Sequence, residues 1–149
     1  VLSDFPRFAQ LMEQRIRERL SLLLPSFGLA PDLALPRFES QLTAHNDGNY
    51  YRQHNDNGSP DTASRLLTYV YYFNRSPKAY DGGQLRVWDS TVRDGYYVAA
   101  ESAHDYQPLD NSIVFFLSRY LHEVLPVRCP SGQFADSRFT INGWLHQTP

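Results

Sequence analysis

A single cysteine, Cys129, occurs in 149 residues, so no disulfide within the chain can brace it. A lone thiol fits a reducing, cytoplasmic compartment. No apolar run approaches the ~20 residues that span a bilayer. Neither sign of charge dominates: 14 basic and 16 acidic side chains leave a net −2. Bulk charge therefore gives no reason to expect nucleic acid or an anionic membrane as partner. Val1 is not an initiator methionine, and no basic segment leading into an apolar run follows. A trimmed chain is expected, and whether a targeting segment preceded it stays open. Internal repeats, low-complexity tracts and linkers are missing too. Residues 1–149 are read as one domain.

What is present is an aromatic, strand-prone chain. Hydrophobic residues make up 42%, with ten tyrosines and nine phenylalanines, types that favour strands. Ser3-Asp4-Phe5-Pro6 has the form of a helix start. Phe8, Leu11, Met12, Ile16, Leu20 and Leu23 recur at helical spacing, with Arg15, Arg17, Glu18 and Arg19 mostly opposite. This predicts an amphipathic helix over Pro6–Leu24, packed on a sheet and ended by Pro25. A membrane-surface or partner helix is the alternative, and core packing is the commoner use. Ser26–Pro36 reads as a connector or as a lid over a site. Strands are expected over Arg37–His45, with Phe38, Leu42 and Ala44 on one face, and over Tyr50–Asn57, Leu66–Phe73 and Gln84–Trp88. Others are expected within Thr91–Ala100, over Ser112–Leu117, from His122 to Val127 and over Arg138–Trp144. Asn46-Asp47-Gly48-Asn49 is a hairpin signal. Short strands separated by turn residues indicate a sandwich or barrel. The expected class is mainly β, a cupin-like jelly roll (double-stranded β-helix) with an N-terminal helical segment packed on the sheet.

His54 and Asp56 stand two apart in the extended stretch Tyr50–Asn57, and strand alternation would put both on one face. An imidazole and a carboxylate so placed can supply two ligands of a 2-His-1-carboxylate metal site, which leaves coordination positions open. His-x-Asp alone is a weak signal. Four further histidines compete to complete it. His45 lies before the turn, His104 in the polar segment Ser102–Asp105, and His146 near the chain end. His122 stands out because it follows the apolar run Ile113–Leu117, although a hydrogen-bonded core histidine explains it equally well. Arg138 shifts the balance. Arg138, Thr140, Asn142 and Trp144 share one face of the last strand. Such a set suits neither an outer surface nor a dry core, but it suits a polar pocket for a carboxylate gripped by a guanidinium. Pairing of Arg138 with a local acid such as Asp136 is the plain alternative.

These features resemble the 2-oxoglutarate- and Fe(II)-dependent oxygenases, with closest similarity to the prolyl 4-hydroxylase branch that includes the oxygen-sensing prolyl hydroxylases. Five blocks carry the resemblance, in order: Tyr51–Asn57, Tyr71–Asn74, Gly82–Arg86, His122–Pro126 and Arg138–Trp144. It implies that His54, Asp56 and His122 bind Fe(II). Arg138 would pair with the distal carboxylate of 2-oxoglutarate, Tyr72 would donate to the same group, and Val70, Leu85, Thr140 and Trp144 would flank it. The family commonly has a tyrosine where His45 falls. The stretch from His122 to Arg138 is longer than in the oxygen sensors, and the segment before Leu42 carries no resemblance.

The implied reaction is hydroxylation of an unactivated C–H bond, coupled to conversion of 2-oxoglutarate and O2 into succinate and CO2, with ascorbate as an accessory reductant. A prolyl residue in a peptide or protein is the expected substrate, and a free amino acid or other small molecule the alternative. The loops Ser26–Pro36 and Asn57–Ser64 are expected at the rim, with Arg52 and Arg86 offered to peptide carbonyls. The carboxylate at Asp56 argues against halogenation, and the charge balance against a nucleic-acid demethylase. A metal-binding cupin-like domain would not need Arg138. A non-enzymatic binding domain would not need all four of His54, Asp56, His122 and Arg138.

Overall fold

Alternation along the central strand β3 (Arg65–Phe73) divides the protein into an outer and an inner core. Leu67, Tyr69, Tyr71 and Phe73 face outwards and pack with the helical segment, whereas Val70 and Tyr72 face inwards. The computed structural model describes residues 5–148, so the expected cap at Ser3-Asp4 lies outside the described residues. Among these, β3 lies between β10 (Arg138–His146) and β7 (Ser112–Leu117), and β1 (Arg37–His45) pairs with the far side of β10. The second sheet has the order β2 (Tyr51–His54), β8 (His122–Val124), β5 (Leu85–Arg93), β6 (Tyr96–Tyr106). A two-stranded piece, β4 (Asp81–Gly82) with β9 (Val127–Arg128), completes a mainly antiparallel jelly roll.

The outer core joins Ile16, Leu24 and Leu35 to Leu67, Tyr69, Leu117, Ile141 and Leu145. The inner core joins Val70, Tyr72 and Phe116 of the first sheet to Leu85 and Val87 of the second. Each such side chain contributes about 1.5–3 kcal/mol when fully buried. The inner core fills only part of the space between the sheets, and the remainder is the cavity described below.

Several elements depart from the sequence expectation. The helix is broken into α1 (Phe5–Arg17) and α2 (Leu20–Leu23). At the break Arg19 N donates to Ile16 O, a tighter turn than the α-helical one. Arg17 turns away there to donate to Leu35 O at 2.9 Å and Pro36 O at 3.2 Å. Pro25 does not end the helical segment, because it sits in the first turn of a 3-10 helix, Leu24–Phe27, that Gly28 closes in the left-handed conformation. Phe8 and Leu11 are exposed, so the buried stripe is narrower than periodicity implied. Ser26–Pro36 is no lid: Leu29, Leu33 and Leu35 pack into the outer core, on the face opposite the cavity.

Asn46–Asn49 does not close a hairpin. It carries the chain from one sheet to the other, and its backbone bonds instead to Val127. The next strand is short, stopping at His54. The true hairpin is β5–β6, turned at Asp94-Gly95, both left-handed. β6 is an edge strand with largely exposed residues, so it shows no clean alternation to read. No described helix is long and apolar enough to cross a membrane.

Gly143 shows how closely β1 and β10 approach. A β-carbon there would collide with the Glu39 carbonyl oxygen and lie 2.8 Å from the Tyr69 hydroxyl. Backbone in a paired strand cannot yield as a flexible side chain can. Gly143→Ala should therefore cost roughly 1–3 kcal/mol or more, read as a lower urea midpoint with little change in m-value; an unchanged midpoint would contradict this register.

A candidate metal centre beside a buried cation

β2 and β8 are neighbours in the second sheet, and their register sets His54 directly opposite His122. The two rings lie 4.2 Å apart between centroids. His54 Nδ1 is bonded to Arg52 O at 2.8 Å, and His122 Nδ1 to Tyr120 O at 3.0 Å. A carbonyl can only accept, so each Nδ1 carries the proton and each Nε2 offers a lone pair. Both Nε2 atoms converge on Asp56, at 3.4 Å from Oδ1 and 3.5 Å from Oδ2. The ligating atoms of the three residues all lie within 4.8 Å of one another. Two neutral imidazoles and one carboxylate, with backbone carbonyls fixing the tautomers, fit a divalent first-row metal with open positions.

Asp56 is not where strand alternation would put it. β2 has ended, and the carboxylate is delivered by the bend that follows. The Asp56 amide donates to Ser118 O at 2.9 Å, and Thr68 Oγ1 donates to Asp56 Oδ2 at 2.7 Å. Burial acts to raise the Asp56 pKa, but His54, His122, Trp144 and Thr68 outweigh it and hold it at about 2. Burial acts to lower the His54 pKa, yet Asp56 raises it on balance. His122, more deeply buried, stays below the ordinary imidazole value.

Arg138 lies deeper on the opposite sheet and is 1% exposed. Its Nε donates to Gly83 O at 2.8 Å, while Nη2 has no partner. The guanidinium carbon stands 5.1 Å from the centre of the Tyr72 ring. The fully buried Tyr72 hydroxyl neighbours the guanidinium without closing a bond of ordinary geometry. Burial pushes that phenol up to about 12 despite Arg138. Among the described residues no carboxylate pairs with Arg138; Asp136, the local alternative, binds Arg75 and Ser131, each at 2.6 Å. Gly83 makes the close approach possible, since a β-carbon there would lie 2.6 Å from Arg138 Cδ.

The triad and Arg138 open on one cavity of about 740 Å³. Val70, Leu85, Thr140 and Trp144 line it, as does Asn142, while Tyr72 lies beneath Arg138 rather than on the wall. His45 lines it too, opposite Arg138 in register. Burial and the Arg138 charge push His45 down to about 4, so its imidazole is neutral. His104 is exposed on β6. His146 is no loose end: it is 2% exposed and bonded through Nδ1 to Ser64 at 2.8 Å. Arg86 is turned away from the cavity and pairs with Asp105 at 2.7 Å. Arg52 is exposed and does not line this cavity; it borders a separate shallow groove with Tyr50, Tyr51, Gln53 and His54.

Of the two expected rim loops, only the second contributes, through Gly58, Ser59 and Thr62. Sequence reasoning passed over Thr68, Arg65, Gln41 and Thr43. Thr68 alternates with Val70 and Tyr72, and Gln41 and Thr43 alternate with His45, so a period-two reading of polar residues alone would have found them.

The profile of the 2OG-Fe(II) oxygenase superfamily matches residues 40–146. An uncharacterised PKHD-type hydroxylase of Synechocystis sp. is 47% identical over 142 residues, which cover 95% of this chain and 46% of the relative. A Pseudomonas putida prolyl-4-hydroxylase structure aligns with a TM-score of 0.55 and 32% identity, over 76% of this chain and 54% of that one. A 2OG-Fe(II) oxygenase family oxidoreductase from Burkholderia pseudomallei, at 16% identity and TM-score 0.58, covers 87% and 51% and supports the fold alone. The chain thus spans about half the length of these relatives.

Metal binding at the triad should be proton-linked. His54 has a raised pKa in the metal-free protein, so below that pKa a proton must leave before Nε2 can bind. Co(II) affinity should climb by up to about tenfold per pH unit there and level off above it. His122, with its lowered pKa, should add no competing proton near neutrality. Titrations between pH 6 and 9 check this; a pH-independent affinity, or one unaffected by Asp56→Ala, would exclude the triad as the binding site.

Proposed function

The chain belongs to the 2OG-Fe(II) oxygenase superfamily, and from that membership we propose that it is an iron- and 2-oxoglutarate-dependent dioxygenase that hydroxylates a prolyl residue within a peptide or protein. The observation that carries the reading is Arg138: a cation with no acidic partner among the described residues, buried in the cavity that the triad opens on. An uncompensated buried charge costs several kcal/mol. A ligand carboxylate would offset that cost, and the unpartnered Nη2 and Tyr72 hydroxyl are donors for it. His54, Asp56 and His122 would hold Fe(II). Arg138 with Tyr72 would hold the distal carboxylate of 2-oxoglutarate, with Val70, Leu85, Thr140 and Trp144 around its carbon chain. When bound, iron, 2-oxoglutarate and O2 supply the oxidising chemistry, one oxygen atom entering succinate and the other the substrate C–H bond as CO2 leaves.

The residues of the chain do the rest. In the neutral imidazoles, the backbone carbonyls behind His54 and His122 hold the proton on Nδ1 and leave both Nε2 atoms aimed at the site. Leu85 and Val70 exclude water from the cosubstrate end. Ascorbate would serve as accessory reductant, and the need for ferrous iron, together with the lone buried thiol of Cys129, suits the cytoplasm.

The cavity wall favours a polypeptide over a free amino acid. Among the described residues Asp56 is its only acid, and that group is assigned to the metal. The ammonium of a free amino acid would find no carboxylate, whereas Gln41, Asn55, Ser59 and Thr62 offer amides and hydroxyls suited to a peptide backbone. The 32% identical Pseudomonas putida structure, a prolyl-4-hydroxylase, supports the prolyl choice.

Arg138→Ala removes one partner of a buried charge pair, a loss of roughly 2–5 kcal/mol, and so should weaken 2-oxoglutarate binding by about two orders of magnitude or more while Fe(II) binding stays nearly intact. Anaerobic titration, following the iron-to-cosubstrate charge-transfer band, reads both; equal loss of the two would point to a folding role. For the substrate, proline-containing peptides should release succinate and gain ~16 Da (one oxygen atom transferred), and free L-proline should not. Turnover of a free small molecule with none on any peptide would overturn the polypeptide assignment.

A further inference from the structure

Asp56 is the one member of the triad that no strand holds, since β2 stops at His54. Ser118 and Thr68 supply two supports, and the third is Arg65, at the start of β3. Arg65 lines the cavity, and its Nη1 donates to the Asp56 carbonyl at 3.4 Å. Its guanidinium carbon sits 3.6 Å from the centre of the Trp144 ring. The buried indole N–H of Trp144 lies close enough to the Asp56 carboxylate to help hold its charge, without a hydrogen bond of ordinary geometry. Arg65 thus reaches Asp56 along two routes, directly at the backbone and through the stacked indole.

Something must hold Arg65 in turn. Its Nε and Nη2 both donate to Glu39 Oε2, at 3.2 and 2.7 Å. Glu39 is opposite Trp144 in the β1–β10 register, so acid, guanidinium and indole form one stack across three adjacent strands. A side chain gripped at one end by a carboxylate and flat against an aromatic face is the geometry in which lysine cannot stand in for arginine.

We propose that Arg65, clamped by Glu39, is a positioning residue for the metal centre, fixing Asp56 through its carbonyl and through Trp144. The proposal rests on the reading of His54, Asp56 and His122 as metal ligands. Its test has a readout independent of metal. The chain has two tryptophans, so Trp88→Phe leaves Trp144 as the only indole. In that background, Arg65→Met should increase acrylamide quenching of Trp144 in the metal-free protein. It should also weaken Co(II) binding by roughly 10–100-fold, as loss of an outer support does. Arg65→Lys should resemble Arg65→Met. Glu39→Gln should shift both readouts in the same direction, and the double variant should be no worse than Arg65→Met, because Glu39 acts through Arg65.

Unchanged quenching and unchanged Co(II) affinity in folded Arg65→Met would overturn the proposal, as would additive effects of the two substitutions. If Arg65→Met does not fold, Arg65→Lys and Glu39→Gln carry the same comparison, and no effect in either overturns it. A wild-type protein that binds no divalent metal would sink the triad reading instead, while Trp144 quenching would still report on the Arg65 stack.

Discussion

The site depends on a charge that the protein does not neutralise by itself. Arg138 has been taken out of water; a carbonyl accepts from its Nε, Tyr72 and Tyr80 stand near it, and among the described residues no carboxylate pairs with it. Burying a cation is expensive, and the fold sustains it with a glycine that lets the loop at Gly83 close over the side chain. Such an arrangement makes sense when a bound anion completes it. Within the cavity Arg138 is buried, and Gln41, Asn55, Ser59 and Thr62 add polar groups to the wall, a lining that suits a small dicarboxylate at the guanidinium and a polar substrate beside it.

The three candidate metal ligands are secured by different means. His54 and His122 are fixed by strand register, each imidazole tied through Nδ1 to a carbonyl two residues before it. Asp56 has no such frame and depends on contacts from β3, from the segment after β7 and from the last strand. The placement of the candidate ligands is therefore a joint product of both sheets. The first sheet supplies Arg138, Thr68 and Trp144, and the second supplies the histidines. Pairing of the two sheets across the inner core of Val70, Tyr72, Leu85, Val87 and Phe116 sets the distance between them.

The outer half of the molecule serves this arrangement from behind. The helical segment and Ser26–Pro36 cover Leu67, Tyr69, Ile141 and Leu145, so β3 and β10 can spend their inner faces on polar groups. Strands with one face in an apolar core and the other lining a cavity carry the mixed pattern seen in Arg138–Trp144.

By itself, the sequence determined the class of the fold, the strands β3, β7 and β10, and the shared face of Arg138, Thr140, Asn142 and Trp144. These depend on local alternation, which a linear chain displays directly. It also marked His54, Asp56 and His122, because motif order along the chain is linear information. Tertiary structure alone decided why Asp56 reaches the histidines, since a bend held by Ser118, Thr68 and Arg65 replaces the expected strand. It decided the break in the helix, which follows the reach of Arg17 to Leu35 and Pro36, and the crossing of Asn46–Asn49 between sheets. It decided that His146 is buried and Arg86 turned outward, because a side chain's partners come from strands distant in sequence. Glu39, Arg65 and Trp144 are the clearest case: 26 residues separate Glu39 from Arg65, and nothing in the linear order says that the two meet over an indole.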